Sequence, residues 1–239
     1  LFAFVDYGDV LHVAPAEAAE FRVTGPFAAA LAGEGDNLVT RAAARFAEAF
    51  GGGAHAITLE KHLPVASGIG GGSADAAATL RALARLHAVS LDDPQLFEIA
   101  DGLGSDVPAC LLGTTALGKG RGEQLVPVPG MPGTPVLLVN PGVAVSTAEV
   151  FRRGDGIDHG PLGADPILDR NDLEAPARAI APVIGEVLAA LAAQPGVKLA
   201  RMSGSGATCF ALFETAEASA AAAAAVKRPD WWCIETHLV

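Results

Sequence analysis

The sequence predicts an α+β protein of two lobes, and three observations carry that expectation. Strand-like alternation and helical stripes interleave along the whole chain, with antiparallel hairpins expected among them. The stretch from Pro127 to Pro135 holds four prolines and two glycines, the best linker in the chain. At 239 residues there is enough chain for two modest cores. The expected division is residues 1–132 and 133–239.

The opening reads as short strands and turns: Leu1 to Val5, Asp9 to Val13, then Glu20 to Thr24, closed by Gly25-Pro26. Asp36 and Asn37 are cap candidates for a helix from Leu38 to Phe50, with a stripe of Leu38, Ala42, Arg45 and Ala49, stopped by three glycines from Gly51. His55 to Leu63 alternates as a strand, with Ile57 and Leu59 on one face. Ala76, Leu80 and Leu83 stack along a helix from Ser73 to Val89, and a second helix runs from Pro94 to Gly102. Ala109 to Leu112 and Gln124 to Val128 read as strands around the glycine-punctuated Gly118 to Gly122. After the linker come a strand at Val136 to Asn140, a helix from Thr147 to Arg153, and helix over Asn171 to Ala193 broken at Pro176 and Pro182. Strands at Lys198 to Met202 and Thr208 to Phe213 flank a further glycine turn. The Ala-rich helix Glu217 to Arg228 and a strand from Trp232 to Leu238 close the chain. Gly154 to Asp165 is polar and reads as a mobile surface loop.

Composition excludes several classes of function. The hydrophobic fraction of 51% leans on alanine, and no apolar run approaches the ~20 residues of a membrane-spanning helix. Net charge is −11 and the pI about 4.9, which argues against a nucleic-acid or anionic-membrane surface as partner. Cys110, Cys209 and Cys233 are widely spaced among apolar neighbours, reading as reduced thiols, without zinc-like spacing. No charged-then-apolar leader is seen, and a cytoplasmic protein is expected. The chain begins with Leu1, inside strand-like sequence, so an upstream segment is expected.

The most informative stretch is Pro64-Val65-Ala66-Ser67-Gly68-Ile69-Gly70-Gly71-Gly72-Ser73-Ala74. Four glycines in five positions, after a strand and before a helix, let backbone approach a ligand closely. Unpaired amides and the positive end of the helix dipole then favour a phosphate. Ser73 is placed to cap the helix or to offer its hydroxyl to a phosphate oxygen or a metal. A P-loop needs Lys-Ser/Thr after the glycines, whereas Ser73-Ala74 stands here, and the dinucleotide fingerprint fails too. On composition alone, a flexible glycine turn with a capping serine accounts for the same residues. Asp106, in Gly104-Ser105-Asp106-Val107-Pro108, suits proton acceptance from an alcohol and equally suits a turn or helix cap before Pro108.

The glycine block resembles the second signature of the GHMP kinases, in the Gly-Gly-Gly-Ser-x-x-Ala-Ala form of the branch that acts on a cytidine diphosphate sugar-alcohol. Gly104 to Pro108 and Asn171-Asp172-Leu173-Glu174 are similar to that same branch. Arg201 to Phe210, with Ser203-Gly204-Ser205-Gly206, resembles the family's third signature. With Gly118 to Glu123 and Pro141-Gly142 added, the resemblance runs over nearly the whole chain.

The resemblance implies a ribosomal-S5-like nucleotide lobe and a ferredoxin-like second lobe. It also implies an ATP- and Mg²⁺-dependent phosphotransfer to a small-molecule alcohol, with no nucleic acid or membrane partner. Asp106 stands at the family's catalytic aspartate, residues 64–74 and 203–206 at its ATP site, and no protein metal site is implied. Val145 to Phe151 aligns with the segment that binds cytidine, so Thr147 would hydrogen-bond and Phe151 stack on the base. Without the family, Phe151 reads as a core aromatic. The family's first signature, Ala-Lys-x-Asn-Leu followed by Asp-Gly-Tyr-His, is absent from this sequence, and neither Lys61 nor Lys119 sits in a matching context. Another small-molecule kinase of the family, for homoserine or a sugar, and a non-catalytic nucleotide-binding remnant stay open.

Overall fold

The computed structural model of the protein describes residues 1–32, 37–157, 159–160 and 170–239. Its elements in order are β1 (Val10–Ala16), β2 (Glu20–Thr24), α1 (Leu38–Phe50), β3 (Ala54–Glu60), α2 (Gly71–Leu86), α3 (Pro94–Leu103), α4 (Val107–Leu112), β4 (Ala116–Lys119) and β5 (Gln124–Pro127). Then follow β6 (Pro135–Asn140), α5 (Thr147–Arg152), α6 (Glu174–Ile180), α7 (Val183–Ala192), β7 (Val197–Met202), β8 (Cys209–Phe213), α8 (Ala216–Val226) and β9 (Trp232–His237).

In the first half, β3 lies between β1 and β2, antiparallel to the former and parallel to the latter. Ile57 therefore has Val13 on one side and Phe21 on the other, and Ile57 and Leu59 pack with Val39. Helices α1 to α4 form a second core, in which Phe46, Leu80, Leu83 and Leu96 are almost fully buried. β4 and β5 make a separate hairpin.

The second half is a βαββαβ unit in which β9, β6, β8 and β7 lie side by side, every pairing antiparallel, the ferredoxin-like order. Alternation along β6 sorts its side chains. Leu137 and Val139 pack on one face with Ile184, Val187 and Leu191 of α7 and Ala222 of α8. Val136 and Leu138 turn to the other face, with Leu212, Leu238 and Val5. That second face is a wall of the cleft described below.

Several local expectations are corrected. Ala109 to Leu112, expected as a strand, lies in the helix α4: Pro108 suits a first turn, and a short apolar run carries no periodicity of its own. Leu1 to Val5 makes only isolated bridges, Phe2 to Ala116 and Val5 to Leu238. The buried stripe of α1 is Val39, Ala42 and Phe46, while Arg45 faces solvent. Asn37 caps α1 through the amides of Val39 and Thr40, whereas Asp36 lies outside the described residues. So does most of the expected loop beyond Gly160.

Candidate active site

The glycine loop joins β3 to α2, and the helix begins two residues earlier than the sequence suggested, at Gly71. Gly70 is its N-cap in the left-handed conformation, φ 70°, and no side chain caps it. Ser73 is thus in the first turn and does not cap. The first intrahelical bond runs from the Ala74 amide to the Gly70 carbonyl at 2.9 Å. The amides of Gly71, Gly72 and Ser73 have no acceptor within the helix. A cradle for an anion needs such amides.

The second glycine loop, between β7 and β8, lies against the first. Ser203 Oγ donates to the Gly68 carbonyl at 2.9 Å, and the Thr208 amide donates to the Ser67 carbonyl at 3.0 Å. Ser67, itself 5% exposed, donates its hydroxyl to the Pro64 carbonyl at 2.6 Å. A Cβ on Gly68 would run into the Gly206 backbone, whose carbonyl carbon would lie 2.7 Å away. Two segments 135 residues apart therefore meet backbone to backbone, which only glycine at Gly68 permits. Asn171 braces the second loop, its Nδ2 donating to the carbonyls of Met202 at 2.9 Å and Gly204 at 2.8 Å.

Of the other predicted residues, Thr147 opens α5 and hydrogen-bonds to Ser205 Oγ at 2.8 Å, which joins it to the second loop. Phe151 is 63% exposed on the same helix and is not part of the core. Asp106 occupies the N-cap position of α4, yet its side chain makes no cap bond. Its Oδ1 accepts from Ser105 Oγ at 3.3 Å. A cleft of about 780 Å³ opens between the halves, lined among others by Ile69, Gly71, Asn171, Ser203 and Gly204. Asp106, Thr147 and Phe151 lie outside its lining.

Sequence reasoning missed a buried ion cluster under the first loop. Lys61 is 3% exposed, and its Nζ donates to Asp9 Oδ2 at 2.5 Å and to Asp75 Oδ2 at 2.8 Å. Asp9 Oδ1 accepts from the amides of His62 at 2.6 Å and Leu63 at 2.9 Å. Burial pushes the Asp75 carboxyl up to about 7, against the pull of the Lys61 ammonium. The one signal available was a lysine within the strand-like run His55 to Leu63. Burial also pushes the Cys110 and Cys209 thiols up to about 12, so neither is a nucleophile at neutral pH. Among the described residues no cluster of three or more His, Cys, Asp or Glu could hold a metal, and no helix is long and apolar enough to cross a membrane.

The GHMP kinases N terminal domain signature matches residues 37–114, and the GHMP kinases C terminal signature matches residues 149–229. The chain belongs to the GHMP kinases. A 4-diphosphocytidyl-2-C-methyl-D-erythritol kinase of Rhizorhabdus wittichii is 52% identical over all of this chain and 85% of its own length. One of Cereibacter sphaeroides, under the same name, is 49% identical over all of this chain and 89% of its own. A crystal structure of 4-(cytidine 5'-diphospho)-2C-methyl-D-erythritol kinase superposes with a TM-score of 0.79 at 36% identity, over 96% of this chain and 85% of that one. A homoserine kinase from Cytophaga hutchinsonii, 19% identical with a TM-score of 0.72 over 97% of this chain and 87% of its own, shares the fold. Within the family, the relatives place this chain among the 4-diphosphocytidyl-2-C-methyl-D-erythritol kinases.

Proposed function

We propose that the chain transfers the γ-phosphoryl group of ATP, with Mg²⁺, to the 2-hydroxyl of 4-diphosphocytidyl-2-C-methyl-D-erythritol, a cytoplasmic step of the non-mevalonate route to isoprenoid precursors. The observation that carries this reading is the pair of glycine loops locked together beside an uncapped helix start. In this reading the amides over residues 68–73 take the ATP phosphates, and the Ser73 hydroxyl donates to a phosphate oxygen. The loop at residues 203–206 closes over them from the second lobe, with the lobes divided near residue 132.

Asp106 accepts the proton of the attacking hydroxyl. Its carboxylate suits that work because only Ser105 engages it among the described residues. Thr147 and Phe151 hold the cytidine half, and the exposure of Phe151 leaves its ring face open for stacking. Mg²⁺ in kinases is held largely by substrate phosphates, and the Ser73 hydroxyl in the first turn of α2 would be the oxygen donor this chain adds beside them. When bound, the ion offsets charge on the phosphate oxygens. The residues of the chain contribute position and hydrogen bonds, with no covalent intermediate.

A substrate panel tests the reading. Phosphorylation of the cytidine diphosphate alcohol, with homoserine and free sugars inert, is the expected result. Phe151→Ala should raise KM for that alcohol about five- to hundred-fold, with KM for ATP nearly unchanged, as expected for loss of one base–aromatic stack. Equal effects on both substrates would remove Phe151 from the cytidine site.

A further inference from the structure

Among the described residues, the loop from Pro64 to Gly70 is cross-linked by one serine hydroxyl bond and by its contacts to the second glycine loop. Glycines at positive φ do not select a conformation by themselves. The buried ion cluster touches the chain on both sides of the loop. On the upstream side, Asp9 takes the amides of His62 and Leu63 through one oxygen and Lys61 through the other. On the downstream side, Lys61 reaches across to Asp75, the fifth residue of α2. The Lys61 backbone is itself anchored, its amide donating to the Thr24 carbonyl at 2.7 Å and its carbonyl accepting from Phe27 at 3.1 Å. The ammonium also lies directly below the helix start, since a Cβ on Gly71 would sit 3.4 Å from Nζ.

We propose that Lys61, Asp9 and Asp75 form a clamp that sets the spacing between the two ends of the phosphate loop, with Lys61 as the positioning residue for phosphoryl transfer. The inference rests on the reading of residues 68–73 as the ATP-phosphate cradle. Three ionisable groups buried together are an expensive way to gain stability, because desolvation offsets most of any attraction between them. The raised pKa of Asp75 reports that cost. A buried ionic group at a loop's hinge points is explained by what it fixes.

The test uses the enzyme and three cluster variants. Asp75→Asn keeps the shape and the Lys61–Asp9 pair but weakens the bond to α2. It should raise KM for MgATP about three- to ten-fold and lower kcat, with KM for the alcohol within about two-fold. Lys61→Met should do the same more severely, about ten-fold or more, since charged hydrogen bonds to both ends are lost. Lys61→Met/Asp75→Asn should be no worse than Lys61→Met, because the clamp acts as a unit. The double variant carries one unpaired carboxylate fewer, and it is read in place of Lys61→Met if that variant fails to fold. A folded Asp75→Asn enzyme with unchanged KM for MgATP would overturn the proposal, as would a rise in both KM values alike. Gly68→Ala separates this from the underlying reading: unchanged MgATP binding in that variant would sink the phosphate cradle itself, whatever the cluster variants do.

Discussion

At the scale of single residues, the Asp106 carboxylate accepts from Ser105, while Lys61 is buried in an ion cluster. Asp106→Asn keeps the shape of the side chain while removing charge and proton acceptance. The kcat of this variant should fall about 10²- to 10⁴-fold, as for loss of a general base, with KM for ATP nearly constant. Steady-state kinetics with both substrates varied will check this, and wild-type turnover would return Asp106 to the turn-forming role its place before α4 allows. Asp106, the glycines and Thr147 stand out in the sequence because they lie in short motifs. Lys61 does not. A lysine beside His62 reads as solvated, and its partners Asp9 and Asp75 are 52 and 14 residues away. Only the strand order brings them together. Phe151 could be read either as core or as binding residue from the sequence, and its exposure removes the first reading.

At the scale of elements, periodicity and punctuation gave the long pieces and failed on short ones. The helices α1, α2 and α7 are long enough for an apolar stripe to show, whereas the six residues of α4 are all apolar or proline. Nothing in Val107–Leu112 distinguishes a buried helix turn from a buried strand except Pro108. The start of α2 falls earlier than expected because a serine looks like a cap, while Gly70 in the left-handed conformation occupies the N-cap position and no side chain caps the helix. Where a side chain does cap, its loss should be measurable. Asn37 Oδ1 accepts from the amides of Val39 at 2.9 Å and Thr40 at 3.1 Å, and Thr40 answers through Oγ1 to the Asn37 amide at 3.2 Å. Asn37→Ala should cost about 0.5–2 kcal/mol of unfolding free energy. Urea titration reads it directly.

At the scale of the whole molecule, the two halves meet at the two glycine loops, and beneath the first of them lies a buried cluster in which the Asp75 carboxyl is pushed up to about 7. The seam between the loops was not readable from the chain, since each glycine loop was visible while their contact was not. The cluster makes the folding free energy depend on pH in a direction that can be stated. Burial raises the folded-state pKa of Asp75 from 3.8 to about 7. The folded chain therefore holds a proton on Asp75 that the unfolded chain has released throughout the window between those values. The stabilisation is full below the unfolded value and is lost as pH rises through the folded one. Lys61 and Asp9 are the charged groups that act on Asp75 directly, and the neutral Cys110 thiol of α4 lies near enough to feel its charge. From pH 5.5 to 8.5 the wild-type protein should lose roughly 2 kcal/mol on this account, taking about 1.4 kcal/mol per unit over the protonated part of the range. In Asp75→Asn that loss should disappear, so the variant gains on the wild type as pH rises. Paired urea titrations at the two pH values measure the difference between differences, which cancels the titration of the other groups. A constant offset between the two proteins across this range would show that Asp75 is already ionised in the folded state at pH 5.5, with Lys61 and not burial governing its charge.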